Sequence, residues 1–324
     1  MKLVLLTFAI AALAQQPEEA LWRAGTTARE AGEFAKCKDA FARLVATQPK
    51  LSPAVASLGL CEFELNEYPA ALEHLQKAVD LGLPKDAAVT GPALERVAEL
   101  ATKAGLFDRA MTLFRLSFAL NGESPDAIAL AGLIVLRRPM FPGDVDPDDR
   151  GLVFRMGRAA LTVASGQTDA ARTMLEGLAS DYPTTAGVHY AWCTLLLAGD
   201  PDACASQLKQ ELAVTPAHVP SLVALAVIAS KNEAWDEALS YLERALKADP
   251  SDSAARYQLA SVHLAQGKAE QAATELEALA KDAPQSAEVR ATLASAYYKL
   301  KRKADGDRER AAAQRLQQEK KAQP

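Results

Sequence analysis

The side chains that could bind a metal ion or act as nucleophiles are few, since the 324-residue chain has only four cysteines and four histidines. His189 and Cys193 lie four residues apart, a spacing that places two potential ligands on one face of a helix. Zinc sites take three or four protein ligands. Because the pair has no further cysteine or histidine immediately beside it, the sequence predicts no metal site there.

An acidic segment imitates the start of a calcium-binding loop. Its carboxylates at Asp144, Asp146 and Asp148 have the alternating spacing of such a loop. Two required residues are missing, because Asp149 stands where the turn needs glycine and Arg155 stands where a bidentate glutamate is needed. The alternative is a solvated acidic loop, and neither a metal nor a cofactor is predicted.

The sequence lacks the short motifs that support catalysis. It contains no glycine-rich dinucleotide or phosphate loop, no nucleophile elbow and no His-Glu-x-x-His zinc motif. The formal net charge is −5, whereas a surface that neutralises nucleic-acid phosphates needs clustered cations. We therefore expect neither an enzyme nor a nucleic-acid-binding protein.

The first 14 residues have the pattern of an export signal. They begin with a positive charge and an apolar run, and Ala12-Leu13-Ala14 fits the small-x-small pattern of a cleavage site. The run is shorter than the about 20 residues that span a bilayer. We expect a cleaved signal peptide at 1–14 and an exported protein, periplasmic or secreted, without a membrane span after cleavage. The alternatives are an uncleaved anchor and a buried N-terminal helix.

The elements that must position any functional side chain follow a repeat. Small residues recur in one column: Cys37, Ala71, Ala110, Ala171, Cys204, Ala238, Ala272 and Gly306. The intervals between them are 34, 39, 61, 33, 34, 34 and 34 residues. Two helices approach closely only where a small side chain lies at their crossing, so each small residue predicts the crossing of a helical pair.

Two further columns keep the same register. Large apolar residues stand four positions after the small ones, at Phe41, Leu75, Phe114, Leu175, Leu208, Leu242 and Leu276. A turn column precedes the small residues, at Gly32, Asn66, Gly105, Gly166, Gly199, Glu233, Gly267 and Lys301. Glycine and asparagine tolerate the left-handed conformation that ends a helix. The columns therefore predict helix–turn–helix units with one buried stripe on each helix.

This pattern resembles the tetratricopeptide repeat family, whose 34-residue units are helix–turn–helix pairs. The second unit matches it closely, at Val55, Leu58-Gly59, Leu65, Tyr68, Ala71, Leu75 and Ala78. The resemblance extends over nearly all of 18–324. It implies an all-α fold, a right-handed α-α superhelical solenoid over 15–324 with about eight helical pairs.

One unit departs from the repeat, because the 61-residue interval leaves it seven residues short. Residues 125–138 predict a first helix, whereas 139–151 contain three prolines and two glycines that exclude a normal second helix. We expect an irregular unit at 125–151, with 139–151 an ordered loop that bends the superhelix, covers an edge or binds a partner. A domain boundary is the alternative. Residues 304–321 predict a polar cap helix, since a terminal unit has no neighbour.

The cysteines occupy defined positions in this repeat frame. Cys204 stands at a crossing, and Cys193 lies 11 residues earlier, near the position on the first helix that the crossing contacts. Export would place both in an oxidising environment, so we prefer a Cys193–Cys204 disulfide, and Cys37–Cys61 follows by elimination. The alternative is four buried free thiols, because cysteine is a good small core residue.

The resemblance also implies a binding surface. In this family, first-helix residues line a concave groove that receives extended or helical peptides, and the corresponding positions are Trp22, Arg29, Phe63, Met156, Tyr190, Val223, Val227, Tyr257 and Tyr298. Such a groove is aromatic and aliphatic and favours apolar or aromatic peptide anchors. The alternative for each residue is ordinary packing between helices.

We therefore expect a non-catalytic protein–protein interaction scaffold that binds a peptide or protein partner through this groove. One alternative is an accessory subunit of an envelope enzyme complex. Another is a membrane-tethered scaffold, which would result if residues 1–14 are not removed. The resemblance implies the class of partner and not its identity.

Overall fold

The computed structural model describes residues 18–84, 88–196 and 200–322. The signal peptide predicted at 1–14 and the turn residue Gly199 lie outside these residues. All regular secondary structure in the described part is helical, which confirms the predicted all-α repeat solenoid. None of the described helices combines the length and the apolar character needed to cross a bilayer.

The chain forms two compact units, Met1–Leu161 and Thr162–Pro324. The first contains α1 (18–30), α2 (Phe34–Thr47), α3 (Ser52–Glu64), α4 (Tyr68–Asp80), α5 (Thr90–Lys103), α6 (Phe107–Asn121), α7 (Pro125–Val135), a 3₁₀ turn (Pro142–Asp144) and most of α8 (Pro147–Ala164). The second contains α9 (Thr168–Asp181), α10 (Val188–Leu196), α11 (Pro201–Val214), α12 (Val219–Lys231), α13 (Trp235–Ala248), α14 (Ser253–Ala265), α15 (Ala269–Asp282), α16 (Ala287–Lys299) and α17 (Lys303–Ala322).

The turns within the helical pairs have a left-handed backbone conformation at the predicted column. The φ angle is 72° at Gly32, 76° at Gly105 and 81° at Gly267. Asn66 and Glu233 adopt the same conformation with φ of 60° and 57°. After each of these turns a backbone N–H donates to a carbonyl of the preceding helix, which gives that carbonyl a partner at the helix end.

The small column forms the buried axis of each helical pair. Exposure is 0% at Cys37, Ala71, Ala110, Ala171, Cys204, Ala238 and Ala272. Phe41, Leu75 and Leu242, from the column one turn further along, are equally inaccessible to solvent. Each pair therefore buries the same stripe, and the interhelical contact repeats along each unit.

Helix α7 has no second helix of its own and packs on α8 through two glycines. A Cβ built on Gly132 would lie 2.0 Å from the carbonyl oxygen of Val153, and one on Gly157 would lie 1.9 Å from that of Ile128. Only glycine permits backbones to approach so closely. This approach contributes to the burial of α7 along its length from Ala127 onward.

The loop predicted at 139–151 is shorter in the structure, because α8 begins at Pro147. Residues 147–151 form the first turn of this helix. Proline is tolerated there because the N–H it lacks would have no helical partner, and the Asp148 N–H donates to the Asp146 carboxylate at 3.0 Å. The preceding helix ends at Val135 and not at residue 138.

The four cysteines are paired. Cys37 on α2 is joined to Cys61 on α3, with their Cα atoms 6.0 Å apart. Cys193 on α10 is joined to Cys204 on α11, with a Cα separation of 4.5 Å. Each bridge ties two helices at a buried crossing, which is consistent with the predicted pairing and not with four free thiols.

Helix α17, which includes the residues predicted as a cap at 304–321, packs against α16. An ion pair joins Arg290 of α16 to Glu309 of α17 at 2.8 Å. The ring of Tyr298 lies where a Cβ of Gly306 would be, at 2.5 Å. Glycine therefore replaces alanine at this crossing because an aromatic ring fills the space.

We expect Gly157→Ala to destabilise the protein, because its added methyl group would meet the Ile128 carbonyl oxygen 1.9 Å away. Overpacking costs about 1–3 kcal/mol, and a backbone contact relaxes less than a side-chain contact. Urea unfolding followed by circular dichroism measures the change in the free energy of unfolding.

Gly143→Ala is the matched control, because a Cβ at Gly143 would meet nothing within 4 Å. Its free energy of unfolding should stay within about 0.5 kcal/mol of the wild-type value. Equal effects of the two substitutions would contradict a glycine-dependent contact between α7 and α8.

Candidate interaction surfaces

The predicted groove residues lie on the helices that come first in their pairs. Trp22 and Arg29 are on α1, Phe63 on α3, Met156 on α8, Tyr190 on α10, Val223 and Val227 on α12, Tyr257 on α14 and Tyr298 on α16. First helices of neighbouring repeats contact one another within each unit, as α3 does α5 and α12 does α14. The residues are therefore presented by two sets of helices, one in each unit.

Met156 was wrong as a groove residue. Its exposure is 0%, because it lies beside Gly157 at the close approach of α7 and α8. A side chain without exposed surface contributes packing and cannot contact a partner. Trp22 is half-buried and places its ring edge-on to that of Phe41, with centroids 5.5 Å apart.

Three aromatic rings form what we name the Phe63 cluster: Phe63 on α3, Tyr68 at the start of α4, and Phe141 from the segment between α7 and α8. The Phe141 centroid lies 6.0 Å from that of Phe63 and 4.9 Å from that of Tyr68. The Phe63 and Tyr68 centroids are 5.6 Å apart. The predicted groove residue Phe63 is thus in contact with another part of its own chain.

Two cations of α5 lie over the rings of the Phe63 cluster. The Arg96 guanidinium is 4.8 Å from the centroid of Phe63, and the Lys103 ammonium is 5.3 Å from that of Phe141. The face of an aromatic ring attracts a cation. The Lys103 ammonium also lies 3.6 Å from the Asp144 carboxylate, so one charge contacts both the ring and the acid of the same segment.

Arg96 connects the Phe63 cluster to a buried acid. Its guanidinium lies 2.8 Å from the carboxylate of Glu99, a residue that is 4% exposed. Burial raises the pKa of Glu99 from 4.5 to about 7; Arg96 opposes this rise, and the charges of Glu95 and Asp126 add to it. Glu99 therefore titrates near neutral pH because desolvation outweighs its ion pair.

A small cavity of about 230 Å³ lies among α1, α2, α3 and α5. It is lined by Arg29, Phe34, Leu60, Glu64, Pro92 and Arg96. This volume is below the range of small-molecule pockets. The cavity has room for a single side chain of a partner, and its lining combines apolar and charged groups.

In the second unit, a cavity of about 280 Å³ lies between α12 and α14. It is lined by Val227, Ser230, Lys231, Trp235, Gln258, Ser261 and Val262. Val227 is a predicted groove residue, whereas Trp235 belongs to a column that the sequence placed at a turn. Because Trp235 begins α13, its ring reaches the surface of the first helices.

The other predicted residues of the second unit are half-buried or exposed. Tyr190 packs on the ring of His218, with centroids 5.0 Å apart. The Tyr257 hydroxyl shares a hydrogen bond of 2.9 Å with Thr292, and burial raises its pKa. The Tyr298 hydroxyl donates to the Asp307 carboxylate at 2.8 Å. Val223 is half-buried beside the core of the unit.

The histidine and cysteine whose spacing raised the question of a metal have other partners. Both ring nitrogens of His189 are engaged, one with Gln207 at 2.6 Å and the other with the Pro183 carbonyl at 3.0 Å. Cys193 is bonded to Cys204. Within the described ranges, no group of three or more histidine, cysteine, aspartate or glutamate side chains could hold a metal ion.

Sequence reasoning missed Phe141, Lys103 and Trp235 as surface residues. The repeat columns carry no signal for Phe141, because it lies in the irregular segment outside the 34-residue register. The run Phe141-Pro-Gly-Asp144 contains an aromatic residue and an acid around a turn, and this was the available sign of a structured segment.

We expect the protein to lose stability as the pH rises from about 4.5 through about 7, because folded Glu99 keeps a proton that unfolded Glu99 has already released. Glu99→Gln removes this titration. Between pH 5 and pH 8 its unfolding free energy, relative to wild type, should rise by about 2 kcal/mol. Chemical unfolding at both pH values measures the difference.

Glu73→Gln is the matched control, since Glu73 is exposed on α4, and its stability should follow that of wild type at both pH values. A pH-independent difference between Glu99→Gln and wild type would contradict a raised pKa of Glu99.

Comparison with known proteins identifies the repeat. Tetratricopeptide repeat models match 229–296, 23–88 with 193–253, and 151–185, and together these matches cover more than half of the chain. No curated protein sequence matches. Similar solved structures include MamA (15% identity, 50% of this chain and 95% of that chain, TM-score 0.45). Two others are a tetratricopeptide repeat protein from Parabacteroides merdae (14%, 87% and 99%, 0.44) and the P58(IPK) repeat domain (16%, 93% and 89%, 0.30). On the evidence of the matching models, the chain belongs to the tetratricopeptide repeat family.

Proposed function

We propose that the chain is a non-catalytic scaffold that binds a peptide or protein partner on the surface of its first helices. Its repeat family supports a role in protein–protein interaction. The observation that carries the proposal is the cavity of about 280 Å³ between α12 and α14. There, the predicted groove residue Val227 meets Trp235 on an accessible surface.

The lining of this cavity suits an apolar side chain of a partner. Val227, Val262 and the indole of Trp235 supply apolar walls, whereas Ser230 and Gln258 supply hydrogen-bonding groups. Binding energy at protein interfaces concentrates where an aromatic or aliphatic anchor fills such a pocket, and tryptophan is enriched among these positions. The polar groups then align the backbone of the bound segment.

The second helix of the same pair has a different character on its exposed side. On α13, Glu243, Arg244 and Lys247 are exposed, as expected of a solvated surface. The accessible apolar groups therefore lie on the first helices. This contrast supports docking there and supplies a control position for the experiment.

A photo-crosslinking amino acid tests this surface when it replaces Val227 in one variant and Glu243 in another. We expect covalent adducts with a partner in extract of the source cells from position 227 and none from 243. Adding Trp235→Ala should reduce the adduct about tenfold, the loss of binding that a truncated anchor of about 1.4 kcal/mol causes. Adducts of equal yield from both positions, or none from 227, would contradict the proposal.

We also propose that the protein is exported, as the pattern of residues 1–14 predicts. The two disulfides support this proposal, because such bonds persist in the periplasm and outside the cell and are rare in a reducing cytosol. Each closes a short loop, and a bond of this kind contributes about 3 kcal/mol by the chain-entropy model.

Intact mass and thiol titration of protein purified from its source test export. We expect a chain that starts at Gln15 and has no reactive thiol after unfolding without a reductant. Reduction should then lower the thermal midpoint, and four alkylated cysteines after reduction are the internal control. A retained residue 1 would favour a tethered scaffold, and four free thiols without reduction would contradict export to an oxidising compartment.

A further inference from the structure

We propose that the Phe63 cluster is a peptide-binding site that the chain fills with its own residues 139–144. Its partner is a turn-forming peptide with an aromatic residue followed three positions later by an acid. This inference rests on the proposed scaffold function and names the chemistry of a partner at the first helices of Met1–Leu161.

One cation gives the site its selectivity. The Lys103 ammonium lies 5.3 Å from the centroid of Phe141 and 3.6 Å from the Asp144 carboxylate. The 3₁₀ turn at Pro142–Asp144 brings these two side chains to the same side of the segment, and the Asp144 N–H donates to the Phe141 carbonyl at 3.0 Å. A ligand must therefore present an aromatic ring and a carboxylate together.

Two rings complete the site for the aromatic side chain. Tyr68 and Phe63 contact the Phe141 ring with centroid distances of 4.9 Å and 6.0 Å. The Arg96 guanidinium lies over Phe63 and adds positive charge beside the acid-binding position. Phe63 and Tyr68 belong to the regular repeat, whereas Phe141 comes from outside it, so the repeat forms the site and the segment fills it.

Residues 139–144 are held mainly by side chains, and this allows exchange with a partner. Their printed position rests on the Phe141 ring contacts and the Lys103–Asp144 ion pair, in which both side chains are about half exposed. The Met140 N–H donates to the Arg138 carbonyl within the segment itself. Gly143 has open space around it.

The two ends of the segment are anchored independently of the Phe63 cluster. Arg138 pairs with Asp149 of α8 at 2.7 Å, and Val145 is 3% exposed. Phe141 can therefore leave its site while both ends stay in place. A partner peptide competes with an intramolecular ligand, which lowers its apparent affinity by the fraction of time that the site is filled.

The probe is a fluorescent synthetic peptide with the sequence of residues 138–146, added to the full chain. We expect it to bind the double variant Phe141→Ala/Asp144→Ala at least tenfold more tightly than wild type, because the site is then empty. Adding Lys103→Glu to the double variant should abolish binding. Fluorescence anisotropy at low and high salt measures each affinity.

Two matched controls isolate the recognised groups. Lys77→Glu makes the same charge change at an exposed lysine of α4 and should leave binding unchanged. A peptide with alanine in place of its phenylalanine should not bind. Equal affinity for wild type and the double variant, no binding to either, or binding that is insensitive to Lys103→Glu would each overturn the inference.

Hydrogen exchange on the unaltered protein provides a measurement that does not depend on the folding of a variant. Excess peptide should raise amide exchange at residues 140–144 and lower it at none of the helices of the second unit. Unchanged exchange in the segment at saturating peptide would overturn the inference. Crosslinks from position 227 report the other unit, so their presence or absence separates this failure from that of the scaffold function.

Discussion

The close crossing of two helices at a small side chain is the contact on which the rest of the structure depends. Alanine or cysteine with 0% exposure stands at each regular crossing, and a larger residue would separate the helices and open the stripe beside it. Cysteine is small enough to occupy this position and can also form a bond. This explains why Cys37 and Cys204 combine a packing position with a disulfide.

The irregular unit satisfies the same constraint in a different way. Gly132 and Gly157 bring α7 and α8 together without an intervening second helix, so the residues that would have formed that helix become a connecting segment. This segment places Phe141 against α3 and α4 and Asp144 against α5. A local change in helix packing thus determines which groups remain accessible on the first helices of that unit.

Much of the fold follows from the sequence because the repeat is a local, periodic signal. The turn column predicted left-handed residues, and Glu233 adopts this conformation without being glycine, since the position in the turn outweighs the cost to a side chain. Burial of individual first-helix residues did not follow. Met156 and Tyr298 occupy equivalent positions, yet their exposures are 0% and 38%, because only Met156 lies at the α7–α8 approach.

The sequence by itself determined the helical repeat, its register, the family and a cysteine pairing, because each depends on residues at fixed spacing within or between adjacent units. Only the tertiary structure decided how α7 packs, where α8 begins, what covers Phe63 and why Glu99 titrates near neutral pH. These features depend on contacts between residues far apart in the chain and on the burial that the contacts create. No periodic pattern encodes such contacts, since they arise where the repeat is interrupted.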